Sequence, residues 1–457
     1  MRLDVVVVGA GLCGAITAAR LSEAGLRCAV LEAGDGGPSR LPRSWAAFTR
    51  ATTPLTVVDQ DVWAFDAGKR PIEWMRVRAA GGRTLLWGGW MVRPEARSLR
   101  DARALGRPWP LSFASLDRLV SEVETRLSVR SGRAGPLVAR LRRAGLGAEP
   151  KRAATAAGGR RPFSALDVAG ATVLPRQVAL RALLDRGRAR GVEVVDLADQ
   201  SVRTIEARAV VLAASAIESA RILDATGEAD LDGLGEGLVD HLYAGAIAIV
   251  PAPPPRTEAG ALDRAAVVPP ERTRTGLGFS MEVRGPISLG SLDDEDLGLL
   301  GISRKDAERT SFYAVFAMGE MAPSPRRRVR FDHRRSDALG RAVPVIELPP
   351  LSPDESALAR AMRARCREVA RILAGPSGTV VPIRDPRDRV LGHEAGTCRM
   401  GTRASGAVTD RDGAVHGARG LYVADAGRMP TALDRHPSLT AAALALATAE
   451  RVVEDLR

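Results

Sequence analysis

Three glycines near the start of the chain, Gly9, Gly11 and Gly14, stand as GxGxxG within VVVVGAGLCG. That spacing, between an apolar run and a helix-forming stretch, makes a seat for a pyrophosphate. The first glycine allows the tight turn and the second lets the backbone approach the phosphates. The third lets helix and strand pack closely, with the helix N-terminus facing the anionic charge. Glu32 ends the next apolar run. A carboxylate there accepts hydrogen bonds from the adenosine ribose hydroxyls and disfavours a ribose 2′-phosphate, which argues against NADP. A bare GxGxxG also occurs as a Gly-rich turn in unrelated α/β folds. The local context leaves FAD and NAD both open, and the N-terminal position of the unit leans towards FAD.

The remaining reactive residue types narrow the chemistry. Cys13, Cys28, Cys366 and Cys398 form no CxxC pair. Their spacing suits neither zinc nor a disulfide framework, so no metal and a reducing, cytoplasmic setting are expected. The formal charge is +12, yet only Lys69, Lys151 and Lys305 are lysines, and the arginines are interspersed with acids. Short runs such as Arg326–Arg328 and Arg334–Arg335 read as solvated faces. A nucleic-acid partner is therefore not expected, while an anionic substrate stays open. The Arg-over-Lys skew with abundant Ala and Gly fits GC-rich coding and a bacterial enzyme. No apolar run approaches the roughly 20 residues of a membrane-spanning helix.

The elements that must position these residues follow from periodicity. Asp4–Val8 and Cys28–Leu31 are apolar runs suited to buried parallel strands, with a helix over Gly14–Ala24 between them, closed by Gly25. Residues 112–128 predict a helix with Leu116, Leu119, Val120 and Val123 on one face. Residues 129–165 read as a loop-rich excursion. Ala209–Leu212 predicts a strand leading into a helix over Ala216–Ala225. Five β-like runs then follow: Ala246–Val250, Phe279–Val283, Phe312–Met318, Val329–Asp332 and Val343–Leu348. They predict a second, antiparallel sheet, with Pro251–Pro255 and Pro269–Pro270 marking a loop. Glu355–Leu373 predicts a helix, Gly420–Ala424 a strand and Ser438–Leu456 a closing helix.

Several further segments resemble the glucose–methanol–choline (GMC) oxidoreductase family. RAAGGRTLLWGGWMVRP over Arg78–Pro94 is similar to the family's glycine-rich segment along the flavin and its pyrophosphate. WPLSFASLDRLVSEVETRLS over 109–128 is similar to the stretch that usually follows. SAIESARILDATG over Ser215–Gly227 resembles the second family signature, with Ser215, Ala220 and Thr226 as departures. GEGLVDH over Gly235–His241 is similar to the approach to the substrate domain. HEAGTCRMG, GLYVADAGRMPT and HPSLT fall within 393–440 in the family's order. The chain is short for the family, and residues 195–209 look trimmed.

This resemblance implies the fold class and the chemistry. The fold is α/β: a Rossmann-like FAD-binding domain plus a substrate domain with an antiparallel β-sheet. The FAD domain takes residues 1–110, 166–240 and 386–457, around the excursion at 111–165 and the substrate domain at 241–385. The implied cofactor is FAD, bound without a covalent link, because no histidine precedes His241. Gly81, Gly82, Thr84, Trp87 and Gly88 are implied along the flavin and pyrophosphate, and Asp425 and Ala426 at the ribityl or phosphate region. Pro437 and Ser438 open the helix implied to point at the flavin N1–C2 edge. The implied catalytic pair is His393, favoured as base, and His436, favoured as hydrogen-bond partner to the substrate oxygen; which does which stays open. His241, His333 and His416 read as structural. The implied reaction oxidises a primary or secondary alcohol of a sugar, polyol or natural product, with the electron acceptor open. Two alternatives remain: a same-fold flavoprotein lyase without net oxidation, and a non-catalytic or NAD-dependent Rossmann protein.

Overall fold

The computed structural model describes residues 3–34, 36, 65–68, 72–85, 87–155, 172–227, 231–254, 263–274, 276–292, 294, 297–298, 301–383, 390–402 and 406–457. The first sheet is built, in chain order, from β1 (Leu3–Val8), β2 (Cys28–Leu31), β3 (Thr172–Leu174), β4 (Gln177–Asp185), β5 (Arg188–Asp196) and β6 (Val202–Leu212). In space β3-β2-β1-β6 run parallel, and β5 and β4 continue the sheet antiparallel. A last parallel strand, Leu421–Val423, joins β6 over Val210–Leu212.

Among the described residues the five longest helices are α1 (Leu12–Glu23), α2 (Phe113–Arg126), α3 (Ala216–Thr226), α4 (Pro353–Ala374) and α5 (Ser438–Leu456). Alternation along β1 sends Val5 and Val7 to a cluster with Leu21 of α1 and Val452 of α5. Val6 and Val8 go to the opposite cluster, with Ala220 and Leu223 of α3. Both faces of the parallel region are thus covered, which is why these strands read as unbroken apolar runs.

The second sheet begins at His241. Its strands are β7 (His241–Val250), β8 (Ala265–Arg272), β9 (Gly278–Ser288) and β10 (Ser311–Glu320). After the separate hairpin β11 (Arg328–Ser336) and β12 (Ala342–Glu347) comes β13 (Thr379–Pro382); Leu421–Val423 of the first sheet is β14. The order is β13-β7-β10-β9-β8, antiparallel throughout, with Glu149–Pro150 on the far edge of β8. One face packs under α4, whose Leu358, Met362, Cys366 and Val369 meet Leu242, Ala246, Phe279 and Met281. A capping box between Ser352 and Glu355, with Pro353 in the first turn, starts that helix.

Three expectations change. Pro269–Pro270 do not mark a loop: they lie inside β8, where the register shifts between Val268 and Glu271. Proline is tolerated there because an irregular position needs no ladder donor. The excursion over 129–165 is more ordered than its composition implies. It holds a helix over Pro136–Arg143, and Glu149–Pro150 completes the second sheet; residues 156–165 lie outside the described residues, as does Pro255 of the Pro251–Pro255 stretch. Finally, β4 and β5 and the first half of β6 form an antiparallel meander that apolar patterning did not reveal. Val202, Arg203, Thr204 and Glu206 are exposed there, so little hydrophobic signal marks the strand.

Candidate active site

The glycine fingerprint sits where β1 turns into α1. Gly9 has φ +106°, and a Cβ on it would lie 2.4 Å from the Ala213 carbonyl oxygen. A Cβ on Gly14 would lie 1.9 Å from the Gly9 carbonyl oxygen. These two glycines are needed by the protein's own packing. Gly11 differs: a Cβ there would meet nothing within 4 Å. Gly81–Gly82 flank the same opening, since Gly81 N donates to Ala10 O at 2.9 Å and a Cβ on Gly82 would lie 3.1 Å from Gly11 Cα. Thr84 Oγ1 donates to Gly81 O at 2.5 Å and fixes that turn.

Glu32 is buried at the end of β2 and accepts from Ala10 N at 3.2 Å and Gly34 N at 2.8 Å. Burial raises its pKa, against those bonds and the nearby Arg78. Two glycine-rich backbone segments around an open Gly11 face, with a buried carboxylate at one end, suit the pyrophosphate and ribose of FAD. The first turn of α5 carries Thr440, whose buried Oγ1 has no hydrogen-bond partner among the described residues. If Glu32 accepts from the ribose of FAD, Glu32→Ala is expected to weaken FAD binding by about 10- to 150-fold, the loss of one charged acceptor of roughly 1.5–3 kcal/mol. Titration of apoprotein with FAD measures it, with Glu32→Gln as the shape-preserving control.

Period-two alternation on the second sheet brings a different set of side chains to one place. On β7, Leu242 and Ala246 join the core under α4, so His241 and Tyr243 face the other way. On β9, Phe279, Met281 and Val283 join that core, while Ser280 and Glu282 face the C-terminal segment. Ser280 donates to Asp434 O at 2.7 Å, and Glu282 contacts His436. His393 and His436 meet at this face, ring centroids 5.2 Å apart and tilted 74°. His241 packs edge-on to His393 at 5.1 Å. Trp90, at the end of the glycine-rich segment, stacks on His436 at 5.9 Å, with Lys151 and Arg284 over its ring.

The loop carrying His393 is held from two sides. Asp240 Oδ2 accepts from Gly392 N and His393 N, each at 2.8 Å, while its Oδ1 accepts from His241 N and Tyr243 Oη. Burial pushes Asp240 up to about 7, with Glu394 adding to the rise and the backbone donors opposing it. Arg83 grips the loop from the glycine-rich segment, donating to Gly392 O and in two bonds of 2.8 and 3.0 Å to buried Glu394. Burial holds His393 well below the ordinary histidine value, with His241, His436 and Arg83 adding to the effect. Burial also lowers His436, though Glu282 opposes it. Both imidazoles are neutral near pH 7, as a base and a hydrogen-bond partner require.

The other expected site residues are placed as follows. Trp87 and Gly88 are half-buried between the glycine turn and Trp90, and a Cβ on Gly88 would strike the Trp90 ring at 2.8 Å. Asp425 stands two residues past the end of β14 and caps a short 3-10 turn that Ala426 opens. Its carboxylate accepts from Ser219 Oγ and Gly427 N, so its described bonds brace the protein itself. Pro437 is the cap preceding α5, one residue before the helical turn, and Ser438 is the first helical residue. His333 is exposed beside Asp224 and His416 bonds the Gly401 carbonyl, both away from the cluster. His241, expected from the sequence to be structural, lies fully buried against His393. Asp240, Tyr243, Glu282, Arg83 and Glu394 were also missed. The alternation H-L-Y at the start of β7 was the one available signal.

Comparison with known proteins fits this geometry. The FAD binding domain family matches residues 4–241 and the GMC oxidoreductase family matches residues 323–445. Paromamine 6'-oxidase of Streptomyces fradiae is 29% identical over 516 residues, covering 99% of this chain and 92% of that protein. C-glycoside 3-oxidase of Microbacterium trichothecenolyticum is 29% identical over 297 residues, covering 62% of this chain and 54% of that one. The crystal structure of pyridoxine 4-oxidase from Mesorbium loti superposes with a TM-score of 0.69 at 19% identity, covering 98% of this chain and 99% of that one.

Proposed function

Because the chain belongs to the GMC oxidoreductase family and is an FAD-dependent oxidoreductase acting on CH–OH groups, we propose that its substrate is a hydroxyl of a glycoside or amino sugar, with His393 as base. The observation that carries this reading is the pair of half-buried imidazoles, His393 and His436, beside the end of the glycine-rich segment. FAD, when bound, supplies the hydride acceptor at N5. His393 takes the hydroxyl proton, the hydride leaves the carbinol carbon, and the carbon–oxygen bond becomes a carbonyl. His436, whose one hydrogen sits on the Nε2 that faces Glu282 in the structure, donates to the substrate oxygen as negative charge gathers there by turning that hydrogen from the carboxylate.

The sugar-like substrate is supported by two relatives, named for acting on paromamine and on C-glycosides. The wall beside His436 also fits it. Glu282 offers a carboxylate to a hydroxyl or an ammonium, and Arg284 and Lys151 offer cationic donors. Burial pushes Lys151 down to about 8, so it titrates close to neutrality. The proposed cofactor contacts are Gly9, Gly11, Gly14, Glu32, Gly81, Gly82, Thr84, Trp87, Gly88, Asp425, Ala426, Pro437 and Ser438. We place the substrate domain at 241–385, with Glu149–Pro150 lending its edge strand. No described helix is long and apolar enough to cross a membrane, and a cytoplasmic, bacterial enzyme is the setting proposed.

The test is an anaerobic panel of aminoglycosides, hexoses, glycosides and pyridoxine, read by loss of flavin absorbance. Bleaching by a glycoside or aminoglycoside supports the reading; bleaching by none of the panel overturns the substrate class. FAD is also expected to leave the polypeptide on denaturation, since no histidine precedes His241 to form a link. Flavin colour that stays with the denatured chain contradicts this.

A further inference from the structure

We infer that His241 is a positioning residue that fixes the tautomer of His393, so that Nε2 of His393 carries the lone pair that takes the substrate proton. The inference rests on His393 being the base, and it follows from counting donors and acceptors along one chain of contacts. Nε2 of His241 lies 3.1 Å from the Leu433 carbonyl oxygen. A carbonyl only accepts, so this nitrogen must carry a hydrogen. Burial pushes His241 down to about 4, with His436 adding to the effect, so the ring is neutral and its Nδ1 holds a lone pair. That Nδ1 is 3.2 Å from Nδ1 of His393. Two facing nitrogens share one hydrogen, and His241 has none left at that atom. His393 must therefore donate from Nδ1, which leaves its Nε2 as the basic atom.

The neighbours agree with this direction. Tyr243 Oη lies 3.1 Å from His393 Nδ1 and 3.1 Å from Asp240 Oδ1. The phenol donates to the carboxylate, so its oxygen faces His393 as an acceptor. Reversing the chain would set the phenol proton on His393 and require a hydrogen on His241 Nδ1. Neutral His241 would then turn a lone pair towards the Leu433 carbonyl, two acceptors in contact at full burial. Leu433 itself is held at φ +65°, a conformation rare for a leucine, and is fully buried. The backbone is thus bent where its carbonyl is aimed at His241. When His393 accepts the substrate proton it becomes an imidazolium whose Nδ1–H already points at a lone pair. His241 stays neutral and no further proton has to move.

Two measurements decide it. Holoenzyme with 15N-labelled histidine gives long-range 1H–15N spectra that distinguish the two neutral tautomers without any substrate. The expected pattern is Nε2–H for His241 and Nδ1–H for His393, assigned by the peaks missing in His241→Asn and His393→Gln. An Nε2–H tautomer at His393 overturns the inference. The second measurement is anaerobic flavin reduction with the panel compound that bleaches the flavin fastest. His241→Leu, which keeps the bulk but offers no acceptor, is expected to slow the saturated rate by about 10²- to 10⁴-fold, as for a base left in the wrong tautomer. The half-saturating concentration should hardly move. His241→Asn, whose Oδ1 takes the place of Nδ1, should recover most of the rate. Equal rates for the Leu and Asn variants overturn the inference. If His393→Ala reduces flavin as fast as the wild type, the base assignment fails instead, and the spectra still decide the tautomers on their own.

Discussion

His393→Ala is expected to slow anaerobic flavin reduction by about 10²- to 10⁴-fold, the usual loss for a well-placed general base, with FAD still bound. The substitution removes an imidazole that burial keeps neutral well below the ordinary histidine value. The same burial predicts the pH profile. A freely titrating histidine would lose half its basic form near pH about 6.5, whereas His393 should show no such loss there; Asp240, pushed up to about 7, and Lys151, pushed down to about 8, are the groups whose titration should shape the rate between pH about 8 and about 6.5. Stopped-flow absorbance measures both. His436→Asn should be milder than His436→Ala, because an amide still donates to the substrate oxygen. His333, exposed beside Asp224, supplies the control His333→Ala with an unchanged rate. Equal loss in His436→Asn and His436→Ala would mean that position 436 needs a ring nitrogen, and the two roles would have to be exchanged.

The three fingerprint glycines should fail in different ways when each becomes alanine. Gly14→Ala puts a methyl group 1.9 Å from a backbone oxygen that cannot move away, and Gly9→Ala adds the same conflict in a left-handed conformation. Each should destabilise the protein by about 3 kcal/mol or more. Purified yield and melting temperature should both fall, with or without flavin. Gly11→Ala meets open space in the protein alone, so the apoprotein should melt as the wild type does. Its added methyl group should instead obstruct the pyrophosphate, leaving a folded, colourless protein with weakened FAD affinity. Normal flavin content in Gly11→Ala would show that the pyrophosphate does not pass over that residue.

The nucleotide half was legible because its determinants are local. Gly9, Gly11, Gly14 and Glu32 lie within one strand–helix–strand unit, and each is chosen for a backbone turn or a strand end. The apolar runs of β1 and β2 and the long helices α4 and α5 were equally plain, since burial on both faces or on one stripe writes itself into periodicity. The antiparallel meander was not, because the first half of β6, from Val202 to Glu206, is mostly exposed and leaves little apolar pattern to pair with β5. Pro269 and Pro270 misled for a related reason: proline marks a missing donor, and a bulge in a strand accommodates that as well as a loop does.

By itself the sequence determined the α/β class, the glycine-rich turn after the first strand and the family, and it marked the two histidines that the family's motifs carry. Only the tertiary structure decided what surrounds them. Asp240 just before β7, His241 and Tyr243 on β7, Glu282 on β9 and Arg83 beside the fingerprint come from separate parts of the chain, and none carries a spacing that announces a site. They meet because β-strand alternation turns one face of the antiparallel sheet towards the loops at 393 and 436. Asp240 and Arg83 then hold the His393 loop in place. Whether a histidine is a structural filler or sets a neighbour's proton depends on which atoms lie about 3 Å from its two nitrogens, and that is fixed only when the strands have paired.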